Sequence, residues 1–358
     1  MASRMTGDLL LLGTVPLHDT DDVFRTCGPL FGDAVTCLPD GETGPRQFWV
    51  NYEAHFLFHP HPSVETEQKP IPPPGFPEYF PSHLFATYYF HLKPGVKDLK
   101  FERLQRIDDA LESYRLFRTY REDGTIPDNV RFQVCLPFPS SAFAWFFRSN
   151  FEQDYPIVQQ AYEAAMAEGL KQLFDEIPAD DLAIQWDACF ELLDIERLFQ
   201  WTDRDGAWER FAGPVRRLSP LVPEEALLGY HICYGTLGGW PMREADDMML
   251  SVRMANAAIE TSGRVVDYVH LAGPRSLRTD DLDFYRPLQE LRPGDAKIYL
   301  GLLLPEDGEI GLTRRVAAAR RYLPEFGIAG YCGFGRQPGL DPKTTLHNHR
   351  DAANAVIS

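Results

Sequence analysis

His231 and Cys233 stand two residues apart in Gly229-Tyr-His-Ile-Cys-Tyr-Gly235, a run that reads as a β-strand. Side chains at i and i+2 of a strand emerge on one face. An imidazole nitrogen and a thiolate sulfur therefore share the same space, and both are good zinc ligands. Much later, Cys332 ends another short apolar segment, with Gly333 behind it to permit close approach. Two thiolates and an imidazole around one ion, with a coordination position left open, form a place to bind and activate a small molecule.

Such a site needs distant strand ends brought together, and the chain carries a repeating pattern that does this. Short, nearly continuous apolar runs fall at Leu9–Gly13, Ala34–Leu38, Val130–Leu136, Leu182–Asp187, Ala226–Cys233, Val265–Leu271, Lys297–Leu303 and Ile328–Cys332. Helical patterns lie between them, over Asp19–Cys27, Asp98–Arg121 and Phe151–Glu176, then from about 243 to 261, 308 to 322 and 345 to 356. In the longest, Tyr162, Met166 and Leu170 recur at core spacing. Strands without polar alternation are those of a parallel sheet buried on both faces. The pattern predicts the α/β class and a TIM (β/α)8 barrel, with 1–358 as one domain; an open doubly wound sheet is the alternative. No Gly-rich phosphate fingerprint follows Leu9–Gly13, which counts against its dinucleotide-binding form. Residues 59–97, rich in proline and aromatics, read as an ordered insertion after the second strand in which proline forbids regular structure.

In such a barrel, chemistry gathers at the C-terminal ends of the strands. Thr14, Asp40, Glu42, Gln185, Asp187, His231, Cys233, His270 and Cys332 all fall there. Other residues of these types have blander roles. Cys135 and Cys189 read as small apolar filler, and His55 and His83 as structural residues. His347 and His349 diverge on the final helix and read as a solvated face.

Composition narrows the partners. The chain has 358 residues, 44% hydrophobic and 24% charged, and 52 acidic against 35 basic residues leave a net charge of −17. That balance disfavours nucleic acid and anionic membrane as general partners. Leu9–Leu12 is too short for a signal core or a membrane span, and six scattered cysteines point to reduced thiols in the cytoplasm. No coiled coil or exposed edge strand fixes an oligomeric state.

Five short motifs, in order, resemble the catalytic barrel of cobalamin-independent methionine synthases and their single-barrel relatives. Leu12-Gly-Thr-Val-Pro16 is similar to that family's Gly-Ser-Phe-Pro, Asp40-Gly-Glu42 to its His-Gly-Glu, and Gln185-Trp-Asp187 to its Gln-Ile-Asp. His231-Ile-Cys233 is similar to its His-x-Cys and Tyr331-Cys-Gly333 to its Asp-Cys-Gly. The resemblance implies that His231, Cys233 and Cys332 bind Zn2+ and that the zinc binds a small-molecule thiol. A methyl or other alkyl group would then pass to that sulfur, from a folate in the family's usual reaction. It also implies that Gly13, Thr14 and Glu42, with Gln185 and Asp187 beside them, hold the substrate. Asp187 and His270 are the candidate catalytic groups. The family's fourth ligand, a glutamate, falls here on Ala272, and His270 on the same strand face is an alternative donor. Tyr331 replaces the family's aspartate.

Other readings stay open. Single-barrel relatives of the same pattern use a zinc-thiolate to open epoxides or to make and break carbon–sulfur bonds. A metal-free barrel resembling uroporphyrinogen decarboxylase would work through Asp187 and arginines. A catalytically degenerate barrel would only bind a thiol or amino acid.

Overall fold

The computed structural model describes residues 4–83, 85–237, 240–275, 281–334 and 341–357. Eight parallel strands form a nearly closed barrel. They are β1 (Leu9–Leu10), β2 (Cys37–Pro39), β3 (Arg131–Pro137), β4 (Leu182–Ala188), β5 (Leu227–Ile232), β6 (Tyr268–Ala272), β7 (Lys297–Leu303) and β8 (Gly327–Gly330). Hydrogen-bonded neighbours run β1-β8-β7-β6-β5-β4-β3-β2, and parallel bridges Leu9↔Val35 and Thr14↔Gly41 bring the first and second strands together. A helix follows each strand: Thr20–Phe31, Gln105–Glu122, Phe151–Glu176, Ala207–Leu218, Met249–Thr261, the short Leu282–Tyr285, Gly308–Ala319 and Pro342–Ile357.

Burial on both faces explains the unbroken apolar runs. Every residue of β4, β5 and β6 is buried. The helix Phe151–Glu176 buries Tyr155, Val158, Tyr162, Met166 and Leu173, one stripe at helical spacing. Each large side chain so covered stabilises the fold by roughly 1.5–3 kcal/mol.

Inside the barrel, Leu10, Leu12, Cys37, Ala183, Leu227, Tyr268, Tyr299 and Ala329 pack as one cluster. Two rings there lie across glycines of neighbouring strands. A Cβ on Gly229 would sit 2.1 Å from Tyr268 Cζ, and one on Gly327 would sit 2.3 Å from Tyr299 Cε1. The Tyr268 hydroxyl donates to Gln185 Oε1 at 3.3 Å, so the ring is tied as well as packed. This part of the barrel is solid, which leaves the opposite end for chemistry.

The structure corrects several details of the sequence reading. Residues 59–97 do contain regular structure: Val64–Gln68 pairs antiparallel with Tyr89–Leu92. The prolines do not break this ribbon because they concentrate in the connection between its strands, at 70–81. Phe90 N–H donates to Phe146 O, and Leu92 N–H to Asp154 Oδ2, docking the ribbon on the segment after β3. The second helix begins at Gln105 rather than Asp98, since Leu99 and Phe101 alternate into the core as an extended strand would. The fifth begins at Met249, whose N–H donates to the Asp247 carboxylate. β6 starts at Tyr268 because Val265 is exposed and the buried Asp267 accepts from Leu228 N–H instead.

His347 is exposed, but its partner in the His-x-His pair is not solvated. His349 is buried against Phe334, its Nδ1–H donates to Thr345 O at 2.6 Å, and Nε2 has no hydrogen-bond partner. A proton on Nε2 would carry charge into an apolar wall. Burial accordingly pulls this imidazole down to about 4, although Thr345 O and Glu306 favour the cation. A folded value below the unfolded one means the unfolded chain binds the proton first, so stability falls as pH drops below about 6.5 and levels off under about 4. Between pH 7 and pH 5 the protein should lose about 2 kcal/mol more than a His349→Gln variant in chemical denaturation. Equal losses would show that His349 takes up its proton as readily in the native state as in the unfolded chain.

Candidate metal centre

The alternation of β5 carries Gly229, His231 and Cys233 on one face, with His231 at 3% exposure and Cys233 just past the strand end. β8 delivers Cys332 to the same place. The ligand atoms of His231, Cys233 and Cys332 lie within 4.8 Å of one another, and Cys332 Sγ is 3.6 Å from His231 Nε2. Two thiols and an imidazole nitrogen are a donor set suited to zinc, and carboxylate-preferring ions such as magnesium fit it poorly.

The protonation pattern follows from one backbone group. Gly330 O can only accept, so the His270 nitrogen 3.1 Å away, Nε2, carries a hydrogen and donates. Burial holds His270 neutral, well below the usual imidazole range, with His231 adding to the effect. Its Nδ1 therefore accepts, and the partner 2.7 Å away is His231 Nδ1, which must donate. His231 Nε2 then carries a lone pair that faces Cys332. A second imidazole thus fixes the tautomer that a metal ligand needs. Gly301 permits this packing, because a Cβ there would press on His270 Nε2 at 3.0 Å and Gly330 O at 2.9 Å. With both nitrogens engaged, His270 supports His231 and does not join the donor cluster itself.

The thiols lean on one another. Contact with Cys189, then burial, pushes Cys233 up; contact with Cys233 and burial push up Cys332. A divalent cation placed among such groups would reverse that balance and ionise them.

The carboxylates lie on the β2–β4 side of the mouth. Glu42 sits at a positive φ of 46°, beyond Gly41 at 82°, so a left-handed turn swings it inward. Asp40 Oδ1 accepts from Glu42 N–H at 2.9 Å and secures the turn. Glu42 then accepts from Thr14 Oγ1 at 2.5 Å and pairs with Arg106 at 3.2 Å, while Arg106 also pairs with Glu53 at 3.0 Å. A Cβ on Gly13 would fall 3.1 Å from Cys135 Sγ and 3.4 Å from Glu42 Oε2, so Gly13, Thr14 and Glu42 meet directly. A cavity of about 20 Å3, room for a water, adjoins Asp40, Glu42 and Arg106.

Asp187 stands opposite His231 in the β4–β5 register. Its Oδ1 accepts from Gln185 Nε2 at 2.9 Å, and Gln185 in turn accepts from Gln133 at 2.8 Å. Burial pushes Asp187 up to about 7, partly offset by His231. Gln185 therefore works inside a polar ladder of the barrel wall, orienting Asp187.

Sequence reasoning set Cys189 aside as filler, yet it packs beside Cys233, Cys332, Ala272, Leu304 and Tyr331. A signal was present: Asp187-Ala-Cys189 repeats the spacing of His231-Ile-Cys233 on the adjacent strand. Ala272 lies in the same cluster and gives it an apolar wall where a fourth donor was sought.

No protein-family model and no curated protein sequence matches the chain. Solved structures do resemble it. One is a B12-independent methionine synthase from Shewanella sp. W3-18-1 in complex with selenomethionine, with TM-score 0.56 and 13% identity over 94% of this chain and 87% of that one. Another is a putative vitamin-B12 independent methionine synthase from Listeria monocytogenes, with TM-score 0.52 and 15% identity over 94% of this chain and 86% of that one. At such identities the likeness shows a shared barrel fold. No described helix is long and apolar enough to cross a membrane.

Proposed function

We propose that the protein is a zinc-dependent transferase that activates a thiol and places a methyl or other alkyl group on its sulfur. The observation that carries the reading is the convergence of His231, Cys233 and Cys332 at the barrel mouth, within 4.8 Å of one another. Zinc bound there would supply Lewis acidity, keeping a substrate thiol ionised near neutral pH while leaving it nucleophilic.

The chain's own residues account for the rest. His270 holds His231 in the tautomer that presents Nε2. Asp187, oriented by Gln185 beside His231, is placed to receive a proton or an ammonium group from the substrate. Glu42 offers a second carboxylate, its charge shared with Arg106 and Thr14, and Gly13 keeps the backbone close. An amino acid with a thiol side chain suits this pairing of a soft centre with two acids. The selenomethionine bound by the Shewanella synthase is the thioether-like counterpart of such a substrate.

The apolar wall of Ala272, Leu304 and Tyr331 favours a second reading, in which the same centre serves a less polar sulfur compound in carbon–sulfur lyase or epoxide:thiol transferase chemistry. An assay separates the two. Protein holding about one zinc per chain is offered homocysteine with methyltetrahydrofolate in one arm, and an alkyl thioether or an epoxide with a simple thiol in the other. Methyl transfer in the first arm is the expected result. Turnover confined to the second arm moves the assignment to the alternative, and protein that binds no zinc overturns both.

A further inference from the structure

We propose that Cys189 supplies the fourth protein donor to the ion, making the resting set three thiolates and one imidazole. This rests on the metal site proposed above. The strand register carries the argument. β5 lies between β4 and β6, with Asp187 and His270 both opposite His231, and Ala188 and Leu271 both opposite Ile232. One step further along, Cys233 is flanked by Cys189 on one side and Ala272 on the other.

Among the described residues, the Ala272 side offers no donor. Its methyl packs with Leu304 and Tyr331, and His270 two residues before has both ring nitrogens engaged. The Cys189 side offers a thiol packed against the cluster that holds Cys233, close enough to push the Cys233 thiol up. Two features hold that thiol in place. Cys189 N–H and Phe190 N–H both donate to Ser141 Oγ at 2.9 Å, and Ser141 Oγ–H donates to the buried Glu191 at 2.6 Å. The loop after Cys233 then passes directly over the sulfur: a Cβ on Gly235, at φ 66°, would lie 2.9 Å from Cys189 Sγ. Cys189 touches Cys233 rather than all three cluster atoms, so it sits at the rim of the set, where a turn of its side chain decides whether it coordinates. Sulfur here in place of a carboxylate would make the site softer at the same total ligand charge.

Cobalt reads this directly, because its thiolate charge-transfer absorption grows with each bound sulfur. The metal-free full-length protein and a Cys189→Ser variant are titrated with cobalt(II), with Cys27→Ala as a control distant from the site. Three-thiolate intensity is expected for the wild type and the control, falling by about one third in Cys189→Ser while the ion stays bound. Two-thiolate intensity that Cys189→Ser leaves unchanged overturns the inference but keeps the site. Failure of the wild type to bind cobalt at all overturns the site itself. Should Cys189→Ser fold poorly, X-ray absorption on the zinc-loaded wild type counts sulfur neighbours without a variant, three supporting the inference and two refuting it.

Discussion

Replacing Cys332 by serine will lower zinc affinity about a thousandfold, the loss of roughly 4 kcal/mol from the 10–16 kcal/mol typical of a full ligand set. A hydroxyl is a poor substitute for a thiolate, because it stays protonated and hard where the ion favours a soft, charged donor. Cys332 Sγ lies 3.6 Å from His231 Nε2, and among the described residues β8 brings no other donor to the cluster to replace it. His270→Gln should act more gently, at about ten- to a hundredfold, since it loosens a ligand without deleting one. Competition titration against a chromophoric chelator measures both. Affinity within threefold of wild type for Cys332→Ser would falsify the metal centre.

Gly229→Ala should destabilise the barrel by about 3 kcal/mol or more, the upper range for overpacking. The added methyl would meet three atoms of the Tyr268 ring at 2.1–2.3 Å. That ring is wholly buried, packs edge-on against Tyr299 at 6.2 Å and hydrogen-bonds Gln185, so it has nowhere to retreat. A double-mutant cycle with Tyr268→Ala provides the check: the paired substitutions should cost clearly less than the sum of the singles. Additive losses would mean that the ring and the glycine do not compete for space. Gly229 is two residues from His231 on the same strand face, so the variant should weaken zinc binding as well.

Much of this was legible in the chain because burial writes itself locally. Lys297–Leu303 and Phe151–Glu176 were read with their observed bounds, being an unbroken apolar run and a long stripe at helical spacing. His231 and Cys233 declared a common face through a period of two. Contacts fixed by register between strands left no such trace. The spacing shared by Asp187-Ala-Cys189 and His231-Ile-Cys233 does not tell that the two cysteines meet, and nothing in Tyr-Val-His-Leu-Ala announces that His270 meets His231 ring to ring. The ribbon of the insertion was hidden by its own prolines, which lie in its connection and not in its strands. His349 was misjudged because a helix pattern tells which residues diverge and not which way the helix faces.

The chain from His231 through His270 to Gly330 has a mechanical meaning. β5 and β8 share no ladder, since β6 and β7 stand between them. The two imidazoles span that gap as a strut, ending on a carbonyl two residues before Cys332. Donors from unconnected strands are thereby held at coordinating distance by the protein alone. Loading an ion becomes the filling of a rigid seat rather than a folding event, unlike small domains that collapse only around their metal. A barrel built this way would take up and release an ion while standing.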